Sequence, residues 1–377
     1  MDRFVDTPEA LADVVARARR AGLAAVDTEA ASFHRYVDRI YLLQVSTRDD
    51  TAVVDPLAIT DLAPLGALLG DAGVEKVFHD ADYDVRILDR DYGYRGRRLF
   101  DTRIAAQLIG EPAIGLAALL QKYLGVRLSK AHQKGDWSQR PLPRAMLAYA
   151  MEDTRHLPRL RDALRERLVA LGRLAWAEEE FARLETLRWT GAVAAGEAWW
   201  RVKGVKRLTP RQRAAFRALH AWREDTAARH DRAAFRVIGN DALLAVAAAL
   251  PQNVDALSRV AGLPASLARR HGPQLVDAVQ RALALPDAEL PRPPQASPPP
   301  PRDPDVEARI ARLREARNHV ADRLRIEPGV LCGRATLEVV ARARPVDRAG
   351  LTAVDELRSW QLEVLGDALL DALAKTP

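Results

Sequence analysis

The segment LAAVDTEA, residues 23–30, combines small apolar residues with two acids, Asp27 and Glu29. Its apolar beginning predicts a buried strand, and side chains two apart on a strand project to the same face of the sheet. Two carboxylates on one buried face repel each other and lose their hydration, which is costly without compensation. Hard divalent cations such as Mg²⁺ or Mn²⁺ supply that compensation through oxygen ligands. The segment therefore raises the hypothesis of a metal site, with an ordinary ladder of surface acids as the alternative.

The segments around this strand alternate between strand and helix patterns. Strands are predicted at LAAVDTEA (23–30), RIYLLQVST (39–47), TAVVDPL (51–57) and EKVFHD (75–80). The first three follow one another closely, so we expect them to be largely antiparallel, whereas the fourth follows a helical crossover. Beyond LFDT (99–102) the pattern is helical. The N-terminal half is thus predicted to be an α/β domain, with a mixed sheet flanked by helices.

Composition and charge restrict the class of protein. The chain has 377 residues, a formal net charge of +6 and a single cysteine, Cys332, so an intramolecular disulfide is excluded. No apolar run approaches the roughly 18 residues typical of a membrane span, and we expect a cytoplasmic protein. Residues 155–236 contain 19 Lys and Arg against 10 Asp and Glu, which favours a polyanionic partner such as nucleic acid.

Two related helical pieces follow from about residue 200. They are separated by residues 286–304, which include nine prolines and predict a semi-rigid linker that extends by about 3.1 Å per residue. Residues of the first piece recur 94 positions later in the second: Pro251, Leu257, Val260, Gly272 and Leu275 match Pro345, Leu351, Val354, Gly366 and Leu369. Leu244 matches Leu337 at an offset of 93, which implies a one-residue indel. Duplication is our interpretation, and chance matching in leucine-rich helices is the alternative.

Two further segments carry acids in a meaningful order. KVFHDADYDVRIL (76–88) passes from a strand into a helix and offers Asp80, Asp82 and Asp84, where the helix dipole alone can stabilise acids. YAMEDTRHL (149–157) places Tyr149 and Asp153 at i and i+4, on one helix face. Each segment alone is weak evidence for a metal site. The evidence lies in the order in which these acids follow those of the strand at 23–30.

The ordered set resembles the DEDD exonuclease superfamily in its tyrosine-bearing branch. The residues of five segments are closest to the ribonuclease D family: VDTEAASFHRYVDRIYLLQVS (26–46), VFHDADYDVRIL (77–88), LFDTRIAAQLIG (99–110), KGDWSQRPL (134–142) and YAMEDTRHLPRL (149–160). The segment LHAWREDTAARHDRAAFRVIGNDALLAVAAALP (219–251) resembles the helical HRDC module of that family, and ARNHVADRLRIEPGVLCGRATLEVVARARP (316–345) resembles a divergent copy. The resemblance covers nearly the whole chain.

The resemblance implies a ribonuclease-H-like exonuclease domain at residues 1–195 and two HRDC modules. The modules are expected at 205–285 and 305–377, joined by the linker at 286–304. The family's metal ligands fall on Asp27, Glu29, Asp84 and Asp153, which would bind two divalent ions, and the family's tyrosine falls on Tyr149. The assignment of Asp84 as a ligand depends on aligning His79 with the family's histidine, which places the ligand five positions later. Asp82 is the alternative ligand. Asp101 is expected to cap a helix rather than bind metal.

Further residues are expected to contact the substrate or to support the site. The expected RNA contacts are Phe33, His34, Lys130, Lys134 and Trp137. For Phe33 a place in the core is the alternative, and Trp137 could instead fasten its loop to the core. His79, at the end of a strand beside the site, is expected to be structural.

The implied activity is 3′→5′ exoribonuclease, a hydrolase that releases 5′-mononucleotides from single-stranded 3′ ends of RNA such as tRNA precursors. A DNA 3′→5′ exonuclease is the first alternative, because a metal site alone does not distinguish the two sugars. A noncatalytic nucleic-acid-binding protein on a nuclease fold is the second. The helical modules are expected to bind RNA and, through the linker, to reach away from the active site; the first has the stronger basic flank.

Overall fold

The computed structural model describes residues 2–129, 131–191, 198–292 and 303–375. The N-terminal part of the chain forms a six-stranded sheet. Its strands are β1 (Asp2–Val5), β2 (Leu23–Ala30), β3 (Ile40–Ser46), β4 (Thr51–Val54), β5 (Glu75–Phe78) and β6 (Leu99–Asp101). The strand order is β1-β4-β3-β2-β5-β6, which places β2 in the interior of the sheet.

The sheet is mixed, as predicted. β3 pairs antiparallel with β4, while β1 with β4, β2 with β5, and β5 with β6 pair in parallel. The parallel partner of β2 arrives after a helical crossover, which is the connection that parallel strands require. β1 and β6 were not predicted, because strands of four and three residues are too short to show alternation.

Helices of the same part of the chain surround the sheet. They are α1 (Pro8–Ala21), α2 (Ala63–Leu69), α3 (Asp82–Tyr92), α4 (Thr102–Leu108), α5 (Leu116–Leu124), α6 (Arg144–Arg155), α7 (Leu157–Ala170) and α8 (Leu174–Thr186). Local sequence sets their ends: in α1, Thr7 caps the first turn, Pro8 follows it, and Gly22 ends the helix at φ 64°. α6 packs against β3 and β4, which brings its residues toward the middle of the sheet.

The first helical module belongs to a separate compact unit. That unit comprises residues 30–39, 190–191 and 198–292 of the described chain. Its helices are α9 (Pro210–Arg229), α10 (Ala234–Val237), α11 (Asn240–Ala249), α12 (Val254–Ser258) and α13 (Ala265–Leu283), with 3₁₀ turns at Ala198–Arg201, Val205–Arg207 and Asp287–Glu289. They enclose an apolar core of their own, with Phe216 and Leu219 of α9 fully buried.

The second helical module repeats the first with a constant offset. Its helices are α14 (Pro304–Leu324), α15 (Pro328–Leu331), α16 (Arg334–Ala343), α17 (Arg348–Thr352) and α18 (Ser359–Ala374). α15, α16 and α17 each begin 94 residues after α10, α11 and α12. The inferred indel is wrong: at an offset of 94, buried Leu337 corresponds to buried Leu243 rather than to half-buried Leu244. Residues 293–302, most of the predicted linker, lie outside the described residues.

The second module shares a core with the N-terminal part of the chain, which contains the sheet. Residues 303–375 belong to the same compact unit as residues 2–29 and 40–189. The indole of Trp360 in α18 stacks on that of Trp176 in α8, with ring centroids 5.0 Å apart and an interplanar angle of 19°. Trp360 Nε1 also donates a hydrogen bond of 2.9 Å to Glu180. A continuous apolar cluster joins the two parts.

Polar contacts fasten the same junction. The carboxylate of Glu179 accepts hydrogen bonds from the backbone N–H groups of Ser359 and Trp360, at 2.8 and 3.1 Å, and so caps the start of α18. The guanidinium of Arg173 donates to the carbonyls of Leu108 and Leu324, each at 2.7 Å. The expectation that this module reaches away through the linker is therefore wrong, because its apolar face is buried against α8.

Within the described part of the chain, no helix combines the length and the apolar composition that a membrane crossing requires.

Candidate active site

Three carboxylates from distant parts of the sequence meet beside the sheet. β2 supplies Asp27 and Glu29 from one of its faces, and α6 supplies Asp153 from its last turn. One oxygen from each of the three lies within 4.8 Å of the others. The alternation of β2 and the packing of α6 on the neighbouring strands produce this cluster, so the sequence spacing becomes a spatial site.

Asp84 joins the cluster from the first turn of α3. It is 6% exposed, and its Oδ1 accepts a hydrogen bond of 2.5 Å from Thr28 Oγ1, the residue between Asp27 and Glu29 on β2. Its negative charge helps to raise the pKa of Glu29. Asp84 is not part of the tight three-residue group, but it is buried and electrostatically connected to it.

The two neighbouring aspartates have different surroundings. The Asp82 side chain is 58% exposed and forms an ion pair with Arg86, four residues along α3, at 2.8 Å. Asp80 has a 55% exposed side chain and pairs with Arg103. Both have cationic partners in solvent-accessible positions, so neither carries the uncompensated buried charge that would favour a metal.

The four carboxylates have raised pKa values; Asp84 is buried, and Asp27, Glu29 and Asp153 are half-buried. Burial, and secondarily the charge of Asp153, raises the pKa of Asp27 to about 7. Burial, and secondarily Glu152, raises the pKa of Asp153 to about 7. Burial and the neighbouring carboxylates also raise the pKa of Glu29 and of Asp84 well above their ordinary values. These shifts indicate that negative charge at the site lacks compensation from the protein.

A divalent cation fits this donor set. Among the described residues, no Lys or Arg forms an ion pair with any of the four carboxylates. Buried anions without a cationic partner are unfavourable, whereas carboxylate oxygens are the preferred ligands of Mg²⁺ and Mn²⁺. Asp101, by contrast, is satisfied by protein alone: its carboxylate accepts from the N–H groups of Ala81, Arg103 and Ile104. It caps α4, as expected.

Tyr149 stands one helical turn before Asp153 in α6. Its ring lies 6.1 Å from the ring of Trp137 and 5.9 Å from that of His132, measured between centroids. Burial first, and then the charges of Asp153, Glu29 and Asp27, raise the pKa of its phenol above the ordinary value. The hydroxyl is therefore protonated at neutral pH and can donate a hydrogen bond.

These side chains line a cavity of about 580 Å³. Its walls include Asp27, Glu29, Tyr149 and Asp153, together with His79, Arg103, Ser129 and Gln133. Sequence reasoning missed Arg103 and Gln133, since an arginine on a helix and a glutamine in a loop carry no distinguishing local pattern. The cavity is large enough to admit a nucleotide-sized group beside the carboxylates.

His79 is a neutral, positioned imidazole. The Thr102 hydroxyl donates to the Phe78 carbonyl at 3.0 Å, so His79 Nδ1 must donate to Thr102 Oγ1 across 2.9 Å. Burial lowers the pKa of His79 to about 4, with a smaller lowering contribution from Arg103. This hydrogen bond fits the structural role expected of His79.

The residues expected to contact RNA differ in burial and in the compact unit to which they belong. Trp137 is 1% exposed and so has almost no surface to offer RNA, and the alternative that it fastens its loop to the core fits the structure. Lys134 is exposed. Phe33 and His34 belong to the compact unit of the first helical module rather than to the unit that contains the carboxylates. Lys130 lies outside the described residues.

The raised pKa values predict a pH-dependent stability in the absence of divalent cations. Burial raises the pKa of Asp27 and of Asp153 to about 7, above the ordinary value near 4 of the unfolded chain, so the folded state binds protons more tightly and is favoured at low pH. That contribution is lost progressively as pH rises from about 4 to about 7. In chelator, we expect the Tm to fall between pH 5.5 and pH 8, and Mg²⁺ to raise it more at pH 8, since the cation binds the ionised native site.

The control is the double variant Asp27→Asn, Asp153→Asn, measured by thermal unfolding in the same buffers. It should show a flatter pH dependence and little response to Mg²⁺. A Tm that rises from pH 5.5 to pH 8 in chelator, with the same slope in both proteins, would contradict the assignment of uncompensated charge to this cluster.

Two family models match the chain. The 3′-5′ exonuclease model matches residues 3–169, and the HRDC domain model matches twice, at residues 212–279 and 306–373. The second HRDC match begins 94 residues after the first, which is the offset seen in the helices. The predicted duplication is thus confirmed as two copies of one module.

Individual proteins resemble the chain over almost its whole length. Ribonuclease D of Gluconacetobacter diazotrophicus is 35% identical over 379 residues, covering 97% of this chain and 91% of that protein. The crystal structure of Escherichia coli RNase D, an exoribonuclease involved in structured RNA processing, aligns with a TM-score of 0.67 and 26% identity over 99% of both chains. The crystal structure of a protein from Bifidobacterium adolescentis aligns with a TM-score of 0.82 and 26% identity, covering 99% of this chain and 97% of that one.

Proposed function

The chain belongs to the ribonuclease D family of 3′→5′ exoribonucleases, and we propose that it releases 5′-mononucleotides from frayed, single-stranded 3′ ends of structured RNA. The observation that carries this proposal is the convergence of half-buried Asp27, Glu29 and Asp153, with buried Asp84 connected to them through its charge. We infer that tRNA precursors in the cytoplasm are its substrates. The role of the Escherichia coli relative in structured RNA processing supports a tRNA substrate. The single cysteine supports a location in the reducing cytoplasm.

The four carboxylates are the proposed ligands of two divalent ions, Mg²⁺ or Mn²⁺. Asp27, Glu29 and Asp153 would hold one ion, since their oxygens converge within 4.8 Å, and Asp27 with Asp84 would hold the second. When bound, such ions promote deprotonation of the attacking water and stabilise the leaving 3′ oxygen. Thr28 keeps Asp84 in place through its hydrogen bond, so the orientation of that carboxylate does not depend on the ion.

Tyr149 is proposed to orient the attacking water rather than to accept its proton. Its raised pKa keeps the phenol protonated, and the aromatic neighbours His132 and Trp137 restrict the ring. We therefore expect Tyr149→Phe to lower kcat by about 100-fold with little change in KM, because the substitution removes only the hydroxyl. Single-turnover kinetics on a short RNA would measure this, and an unchanged kcat would remove Tyr149 from the mechanism.

The direct test is a 3′-trimming ladder. A 5′-labelled single-stranded RNA and the DNA of the same sequence are incubated with the full chain in Mg²⁺, in Mn²⁺ or in chelator. We expect a one-nucleotide ladder from RNA that chelator abolishes, and 5′-mononucleotides as the released product. Faster trimming of DNA than of RNA would replace the proposal by a DNA exonuclease, and undiminished trimming in excess chelator would reject the metal site.

The tRNA inference needs a separate comparison. A tRNA precursor with a short 3′ trailer and an unstructured RNA of the same length are offered in equal amounts. Trimming that stops at the end of the tRNA body supports the inference, whereas complete degradation of both at the same rate rejects it.

A further inference from the structure

The loop that follows the catalytic strand is fastened to the first helical module. This Phe33 loop, residues 31–36, begins two residues after Glu29. The backbone N–H of Ala233 donates to the carbonyl of His34 at 3.1 Å, and the N–H of Tyr36 donates to Asp231 Oδ1 at 3.2 Å. Arg35 forms an ion pair with the same carboxylate at 3.3 Å. The loop is thus held at three points.

These contacts bring two exposed aromatic rings together. Phe33 is 46% exposed and Phe235, in α10, is 53% exposed. Their centroids are 6.1 Å apart with an interplanar angle of 80°, an edge-to-face pair. Large aromatic side chains with half of their surface in water commonly mark interaction sites, since much of their apolar area remains to be buried.

Two arginines lie within three residues of Phe235 in the sequence. Arg232 and Arg236 flank Phe235 in sequence, and both are exposed. In the described part of the chain, neither forms a salt bridge, whereas the nearby acid Asp231 is engaged by Arg35. Aromatic rings with cations next to them are the combination that binds single-stranded nucleic acid, through base stacking and phosphate contacts.

The two helical modules differ in charge. Residues 205–285 contain 13 Lys and Arg against six Asp and Glu, a net charge of +7, whereas residues 305–377 contain 12 of each, a net charge of zero. The second module also buries the face around Trp360 against α8. A polyanion is therefore attracted to the first module much more strongly than to the second.

We propose that Phe33 and Phe235 form a composite stacking site for the bases of single-stranded RNA, with Arg232 and Arg236 contacting its phosphates. The site deepens the proposed function and rests on it, because it takes the same RNA strand whose 3′ end is trimmed. Its ring geometry is set by the loop contacts to Asp231 and Ala233. Stacking recognises any base, so the site adds affinity without sequence preference.

The test measures RNA affinity and steady-state kinetics for the full chain. Affinity for a fluorescein-labelled 12-nucleotide oligo(U) is measured in chelator, where no trimming is expected, and KM and kcat are measured on the same RNA in Mg²⁺. The variants Phe33→Leu and Phe235→Leu keep an apolar side chain but remove the aromatic face. We expect each to weaken binding and raise KM by about tenfold, with kcat within twofold. Phe235→Trp should retain wild-type affinity.

Contacts between arginines and phosphates are tested by the salt dependence of RNA binding. Arg236→Gln should reduce the salt dependence of binding, lowering the slope of log K against log [salt] by about 0.7, the value for one phosphate neutralised on a single strand. The matched control is Arg259→Gln, an exposed arginine of the same module, which removes equal charge and should leave the slope unchanged. Equal slopes for the two variants would overturn the phosphate assignment.

The outcomes separate this proposal from the proposed function. If the wild-type chain trims no RNA, the proposed function fails. If it trims RNA and both leucine variants keep wild-type affinity and KM, only the stacking site fails. A loss confined to kcat also overturns it, because that would mean that the loop positions the catalytic strand instead of binding RNA.

Discussion

Asp27→Asn is expected to lower kcat for RNA trimming by about 10³-fold or more, the largest effect of any single substitution considered. The side chain keeps its size but loses the negative charge at the centre of the cluster, where Glu29 and Asp153 approach within 4.8 Å. An amide is a weak ligand for a hard divalent cation, and stabilisation of transition-state charge at such a site contributes several powers of ten to the rate. Rapid-quench measurements on a 5′-labelled RNA would provide kcat.

Two aspartates of α3, Asp84 and Asp82, provide a matched pair of substitutions. Asp84→Asn should reduce kcat nearly as strongly as Asp27→Asn, because Asp84 is 6% exposed and electrostatically coupled to Asp27. Asp82→Asn makes the same chemical change two residues earlier, on an exposed side chain paired with Arg86, and should stay within twofold of wild type. An inactive Asp82 variant together with an active Asp84 variant would reverse our assignment of the register.

Trp360→Ala is expected to lower the free energy of unfolding by about 3–5 kcal/mol, the range found when a large buried aromatic side chain is truncated in a core. Trp360 is 3% exposed, stacks on Trp176 and donates to Glu180, so the variant leaves both a cavity and an unsatisfied acceptor. Because this core is shared, the catalytic part should be destabilised as well. Urea unfolding followed by fluorescence and by residual RNA trimming would measure both effects.

A control in the same module separates this effect from general damage. Val346→Ala truncates a side chain that is 91% exposed and should change the free energy of unfolding by less than about 0.5 kcal/mol. If Trp360→Ala instead unfolded only the second module, with trimming retained to the wild-type urea midpoint, the shared core would not link the stability of the two parts.

The periodicity and spacing of apolar residues were sufficient to predict much of the architecture. Long strands such as β2 and β3 show their burial directly, and the repeat of helices is visible as identical residues 94 positions apart, such as Leu257 and Leu351. The three-residue strand β6 carries no such pattern, because its pairing with β5 depends on a neighbour far away in sequence. Local sequence could not reveal it.

Residue order alone was enough to list the candidate site residues: paired acids on a strand, aspartates at a strand–helix junction, and Tyr149 with Asp153 on one helix face. Which of Asp82 and Asp84 is buried near Asp27 depended on the folded chain, because helix α3 turns about 100° per residue and only its packing against the sheet selects the inward position. Folding likewise buries Trp137 and joins the second module to the catalytic core. Burial of an apolar face requires a complementary surface, and that partner lies far away in the chain.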